Sequence, residues 1–426
     1  MPPASLSESR PSNVPMRLGT LEGIQEFFWA SEPTKSRLAL VLAEVVGPAT
    51  VEDWQNALRK VQERYPLLSA RIGKVQGRRP YFELVRASSL TLQVAPYAEN
   101  FNIDEVMSQQ LAVSFGRGDG PLARVILFHS PSRSQVVLAA HHAACDGLTI
   151  VNMMQDLIAA AAGETLGTEL PTLPTVGELL GLGQPPPYSA LLPTPVATAC
   201  PVLDFPAPAV SSQRVEADLM AKIVDRVRKE RATVHGALVA AFITAGRRCC
   251  ERWRTKPVVC LSPVDLRPLL ELRQAAGVLT TIHPTIAMPG DLPLFWDFAR
   301  RVSSEIPGSR TIEAAHGGTV AVREVVSRES DPYDPTTVDP LGFFNHDLMV
   351  SNYGASGYRT DFGSLKLTAL YPSHISGGSP STQTISAITI AGTLHVTHAS
   401  RAPIQFFLRD ALDLLFSFCD QVARIY

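Results

Sequence analysis

No run of about 18 apolar residues occurs in this chain of 426 residues, so no membrane-spanning helix is expected. Cysteine is scarce. The six present (Cys145, Cys200, Cys249, Cys250, Cys260 and Cys419) show no CxxC spacing and no dense framework, which argues against a disulfide scaffold or a zinc ribbon. They are expected as buried or free thiols in a reducing compartment. Charge excess of either sign is also missing: a formal net charge of −2 does not suit a generic nucleic-acid binder, which carries a basic field. Residues 1–15 hold neither a basic region nor an apolar signal core, so a cytoplasmic protein is expected. No G-x-S-x-G elbow is evident, which disfavours a Ser-His-Asp hydrolase.

What the chain does have is core material. An apolar share of 45% and a charged share of 18% describe a globular protein, and the length exceeds what one hydrophobic core usually organises. We expect a flexible N-terminal arm over 1–15, a first domain over 16–165, a proline-rich crossover over 166–212 and a second domain over 213–426. Strand and helix patterns alternate in both halves, which predicts α/β layers. Residues 37–46 read as a buried strand. Thr50 to Asp53 resembles a capping box opening a helix that puts Trp54, Leu58, Val61 and Tyr65 on one face before Pro66 stops it. Residues 122–128 and 135–140 read as a hairpin, and further helices are expected over 217–230, from Thr233, and over 405–424.

The most informative stretch is 134–162. Val136, Val137, Leu138, Ala139 and Ala140 form a short continuous apolar run, the pattern of a strand buried on both faces. His141-His142-Ala143-Ala144-Cys145-Asp146-Gly147 follows, and then Ile150, Val151, Met154, Leu157, Ile158 and Ala161 recur at helical spacing up to Gly163. Three ionisable groups thus sit where a buried strand stops, although burial penalises charge unless each group has a partner.

His141, His142, Asp146 and Gly147 match an HHxxxDG motif. The chain therefore resembles condensation domains and the wider acyltransferase superfamily that includes chloramphenicol acetyltransferase and the plant BAHD enzymes, and most of all the free-standing polyketide-associated acyltransferases. Cys260 to Pro268 (CLSPVDLRP) resembles the family's PVDLRP-like stretch, and Val350 to Gly354 (VSNYG) its channel-lining strand. Asp361-Phe362-Gly363 resembles the start of the BAHD DFGWG motif, but Ser364 replaces the Trp, which points away from a plant-type enzyme. The resemblance implies an α/β fold of two chloramphenicol-acetyltransferase-like domains forming a pseudo-dimer, with the active site in a channel between them.

It also implies a reaction: an acyl group moves from a thioester, either acyl-CoA or a phosphopantetheine-linked donor on an acyl-carrier protein, to a hydroxyl acceptor. The ester product would belong to lipid, polyketide or other secondary metabolism. The nucleophile must lose a proton as it attacks, and the tetrahedral intermediate carries an oxyanion that needs donors. The family assigns the first task to the second histidine, here His142, with no covalent acyl-enzyme. His141 is expected to pack and orient its neighbour. Asp146 suits a helix N-cap, and the resemblance adds a salt bridge to Arg267, so both are expected to support the site. Gly147 lets substrate approach, and its N–H is a candidate oxyanion donor. Cys145, Ser351 and Asn352 are candidates for the channel wall. Arg247, Arg248, Arg252, Arg254 and Lys256 fit either a solvated basic helix end or a dock for the donor's phosphate.

Three other readings compete. A free-standing condensation enzyme would form an amide between carrier-bound substrates, and the absence of an adenylation or carrier segment tilts the expectation to ester formation. A metal site at His141, His142, Cys145 and Asp146 is disfavoured because adjacent strand residues face opposite ways; no metal and no tightly bound cofactor is expected. A non-catalytic binding member would have lost His142 or Asp146, and both are present. A monomer acting on a small-molecule alcohol or amine, with no nucleic acid and no membrane span, completes the expectation.

Overall fold

The computed structural model describes residues 16–32, 37–73, 79–85, 90–116, 120–184, 206–290, 294–328, 345–355, 357–375 and 379–420. The expected N-terminal arm and Pro185-Pro186-Pro187 lie outside them. Two six-stranded mixed sheets dominate, with a small three-stranded sheet beside them. Among the described residues no helix is long and apolar enough to cross a membrane.

The first sheet is built around Arg133–His141, whose residues from Ser134 onward are all buried. It is sandwiched between antiparallel neighbours, Leu38–Val46 on one side and Ala123–Ser130 on the other, and the latter closes the expected hairpin. Burial on both faces explains why the run reads VVLAA without alternation. One face packs on Gly147–Ala161 and on Val51–Arg64, the helix opened by a complete Thr50/Asp53 capping box, with Trp54, Ala57, Leu58 and Val61 buried.

The sheets do not follow the chain. Leu365–His374 pairs antiparallel with Leu38–Val46 inside the first sheet, in a register that sets His374 opposite Ala39. Ala39 in turn lies opposite Ala140, and Leu38 opposite His141. A strand from late in the sequence thus delivers a third histidine to the sheet end that carries the motif.

The second sheet runs Thr280–Ala287, Val258–Asp265, Leu348–Asn352, Gln383–Ile390, Thr393–Ser400, Ala209–Val215. Its helical cover includes Ala217–Lys229, with Met220, Ile223 and Val227 inward, and Val234–Cys249, capped by Thr233. Phe407–Asp420 closes the described chain; the last residues of the expected 405–424 helix lie outside it. Val258–Asp265 and Leu348–Asn352 are parallel, so Asp265 and Asn352 end on the same side. The carboxyl ends of parallel strands are where α/β folds place ligands.

Candidate active site

Those strand ends and the motif loop enclose a cavity of about 430 Å³, with His142, Gly147, Ser351, Asn352 and His374 on its wall. His142 is anchored from three directions. Its backbone N–H donates to Arg37 O at 2.8 Å. Its Nδ1 lies 2.9 Å from Cys145 O. Its ring stacks on Phe28, with centroids 4.3 Å apart and planes 16° from parallel. Because a carbonyl can only accept, Nδ1 carries the proton and Nε2 is left with the lone pair. Burial lowers the pKa of His142, the Cys145 and Asp146 contacts pull it back up, and the neighbouring Arg37 cation pushes it down. The net shift is downward, which keeps the ring neutral near neutral pH.

His141 is turned the other way, as alternation along a strand requires. It is fully buried, its Nδ1 accepts Ala143 N–H at 3.0 Å, and its Nε2 lies 4.0 Å from Glu32 Oε2. Burial, with His142 as a lesser cause, pushes its pKa down to about 3. A neutral imidazole fixed by the loop backbone holds the loop in place and is out of reach of the cavity. Glu32 is itself held by Ser114 Oγ at 2.7 Å, Phe115 N at 2.8 Å and the Arg37 backbone N–H.

Asp146 caps Gly147–Ala161, accepting Thr149 N–H at 2.8 Å. It also joins the two halves. Arg267 grips it in bidentate fashion, Nη1 to Oδ2 at 2.9 Å and Nη2 to Oδ1 at 3.0 Å, and Leu279 N–H and Thr280 Oγ1 donate to the same carboxylate. Arg267 spends its other donors on Ala275 O, Asp265 and Thr149 Oγ1. Burial alone would raise the Asp146 pKa, but Arg267 and the N–H donors outweigh it and hold the carboxylate ionised. Neither partner has spare capacity for proton transfer.

Gly147 is dictated by packing. A Cβ there would lie 2.3 Å from the Tyr353 ring and 2.4 Å from its hydroxyl. Tyr353 lines the cavity next to Ser351 and Asn352, and burial raises its pKa far above the ordinary phenol. Asn352 spends Oδ1 on Gly354 N–H at 3.0 Å. His374 meets His142 edge to face at 5.8 Å, with Nδ1 3.3 Å from Ser386 Oγ and Nε2 3.3 Å from Met349 Sδ.

Two groups of candidates lie off the cavity wall. Cys145 is absent from the cavity wall: its side chain is fully buried in the apolar cluster of the first sheet, and burial raises its thiol pKa. The residue contributes its carbonyl to His142. The basic run does not line the cavity either. Arg247 is buried and donates to the carbonyls of Ala287, Met288 and Pro289, Arg252 pairs with Asp347, and Arg248, Arg254 and Lys256 are exposed and line no part of this cavity. The cations that line the cavity are instead Arg37 and Arg310, which no motif announced. Phe28, His346 and His374 were missed as well, since each reads in sequence as an ordinary core or loop residue. Asp361–Phe362 is a short edge strand paired with Leu365–His374, and Gly363 opens the turn between them, its N–H on Asp361 Oδ1 at 2.9 Å, away from the cavity wall.

No protein-family model matches the chain, and no curated protein matches it. Solved structures do. Polyketide synthase associated protein 5 from Mycobacterium tuberculosis superposes with a TM-score of 0.66 at 15% identity, covering 96% of this chain and 99% of that one. The condensation domain of the monacolin K polyketide synthase MokA gives 0.68 at 15% identity, over 96% and 97% of the two chains. The trichothecene 15-O-acetyltransferase TRI3 from Fusarium sporotrichioides gives 0.67 at 10% identity, over 96% and 100%. The chain therefore has the fold of the condensation domains and related acyltransferases, two α/β halves arranged as a pseudo-dimer around the channel that holds His142.

Proposed function

We propose that the protein transfers an acyl group from a thioester to a hydroxyl acceptor, with His142 as general base. The observation that carries this reading is the state of the ring. Nδ1–H is fixed on the Cys145 carbonyl, the ring is held neutral and stacked on Phe28, and the residue lines a cavity large enough for a small acceptor. Nε2 takes the acceptor's proton as its oxygen attacks the thioester carbon. The oxyanion is received at the start of Gly147–Ala161, where the Gly147 N–H and the helix dipole favour negative charge. When the intermediate collapses, the C–S bond breaks and His142 returns the proton to the departing thiolate. No bond to the protein forms. Acyl-CoA or a carrier-bound acyl-phosphopantetheine supplies the acyl group, and no resident cofactor is used.

Supplying thioester donors with alcohol and with amine acceptors tests the reading, with His142→Ala as control. The variant folds, and kcat/KM falls by about 10²–10⁴. Turnover retained in His142→Ala removes His142 from the chemistry, and product formed only with amines replaces ester formation by amide condensation.

A further inference from the structure

Beside the main cavity lies a largely apolar chamber. This second chamber, about 240 Å³, shares Ile24, Leu261, Val278, Thr280 and Ile282 with the His142 cavity, so the two spaces adjoin. Its remaining wall comes from the segment Glu22, Gly23 and Gln25, from Val176, Thr281 and Pro284, and from one side of the Ile312–Arg328 helix, at Gly318, Thr319 and Val322. Two missing side chains leave it open. A Cβ on Gly318 would stand 3.1 Å from Thr281 Oγ1, and one on Gly23, which sits at φ +54°, would stand 3.4 Å from Val322 Cγ1. Glycine inside a helix weakens it, so Gly318 is a local cost with a spatial return.

Charge in the chamber is neutralised. Glu22, the carboxylate on its wall, is buried, pairs with Arg323 and accepts Gly177 N–H at 3.1 Å. Gln25, the amide on the wall, donates to Ala143 O at 3.0 Å, so a ligand lying here meets mainly methyl and methylene groups and threonine edges, with no unpaired ion to bind. The chemistry fitted is therefore an uncharged aliphatic chain.

Stereochemistry says which chain. Around the reacting carbon three groups need room: the thiol arm, the attacking acceptor and the acyl residue. The acyl residue is the one that need not remain open to solvent. Resting on the acyl-transfer reading above, we infer that this chamber receives the acyl chain of the donor, which makes the protein selective for a linear aliphatic acyl group longer than acetyl. The wall at Gly318 and Val322 sets the length accepted.

Acyl N-acetylcysteamine thioesters from acetyl to dodecanoyl, which carry neither a nucleotide nor a carrier protein, serve as the probe. Calorimetry gives Kd on wild type and on His142→Ala, and turnover gives kcat/KM on wild type. Affinity is expected to rise about fourfold per methylene until the chamber is full. Gly318→Leu moves the break to shorter chains and leaves acetyl binding unchanged. Val322→Ala moves it to longer ones, and thermal melting verifies that each variant folds. Affinity independent of chain length, or a break that neither variant moves, overturns the inference. Because binding is read on His142→Ala as well, a wild type that binds long chains but transfers none refutes the transfer reading while the chamber stands.

Discussion

Cutting Arg267 back to alanine should cost far more than a surface arginine would. The guanidinium and the Asp146 carboxylate are both almost fully buried, and their contact is bidentate. Removing Arg267 strands an ionised carboxylate that keeps only Thr149 N–H, Leu279 N–H and the Thr280 hydroxyl. Breaking a buried pair from one side costs about 3–5 kcal/mol. Asp146→Ala should cost at least as much, since it strands the cation and also removes an N-cap worth about 1 kcal/mol. In the double variant no charge of the pair is left behind, so the two losses should fall short of additivity by about 2–3 kcal/mol. Urea unfolding followed by tryptophan fluorescence measures this. Trp29 and Trp54 report on the first half of the chain, Trp253 and Trp296 on the second. Activity should fall in step with stability, because Asp146 fixes the loop whose Cys145 carbonyl orients His142. An unchanged unfolding midpoint in Arg267→Ala, or a double variant that loses the plain sum, refutes the reasoning.

Gly147→Ala should leave the fold largely intact and depress kcat/KM, since the new Cβ drives Tyr353 out of the cavity wall; a fully active variant with Tyr353 in place by crystallography contradicts this. Stability should fall as the solution is acidified from pH 7.5 to 5. His141 and His374 are both held at about 3 in the folded protein against about 6.5 unfolded, so the unfolded chain takes up protons that the folded one refuses, and each group costs about 2 kcal/mol at pH 5. Burial is the main cause for both, with His142 a lesser one. His374→Gln should flatten the pH slope by roughly one such share; an unchanged slope shows that His374 protonates as freely in the folded state.

The motif strand and helix were legible because each carries its own pattern: VVLAA is a continuous apolar run without alternation, and Ile150 to Ala161 repeats at helical spacing. The pairing of Asp146 with Arg267 was not legible from composition or spacing, since 121 residues separate them; it entered only through the resemblance. The exchange of Leu365–His374 into the first sheet left no local trace either. A strand's own pattern states how buried it is and never names its partner, so His374 looked like any core histidine. The basic run was ambiguous for a different reason. Arg247 at a helix end reads alike whether it faces solvent or turns inward, and the deciding feature, the carbonyls of residues 287–289, lies about forty residues on. Cys145 was misplaced because the loop turns its sulfur into the core while its carbonyl faces His142.

The placement of His142 has a mechanical consequence. His142 is held chiefly by the first half of the chain, through Arg37 O, Cys145 O and Phe28, with His374 against the ring edge. The loop that carries it is tied to the second half, through Asp146 N–H on Gly277 O, Thr149 Oγ1 on Gly277 O, and the Asp146 contacts to Arg267, Leu279 and Thr280. Motion of one half against the other at this point would break buried, charge-assisted bonds, each stronger than a neutral one. His142 and the second-half strand ends that face it are therefore tied together as one body. Electrostatic help at the oxyanion depends on donors that are already in position when charge develops, since reorganising them would consume the gain. On the proposed acyl-transfer reading, Asp146 matters to the chemistry without touching substrate, as the joint that keeps Gly147 and His142 at a fixed spacing from the wall bearing Ser351 and Asn352.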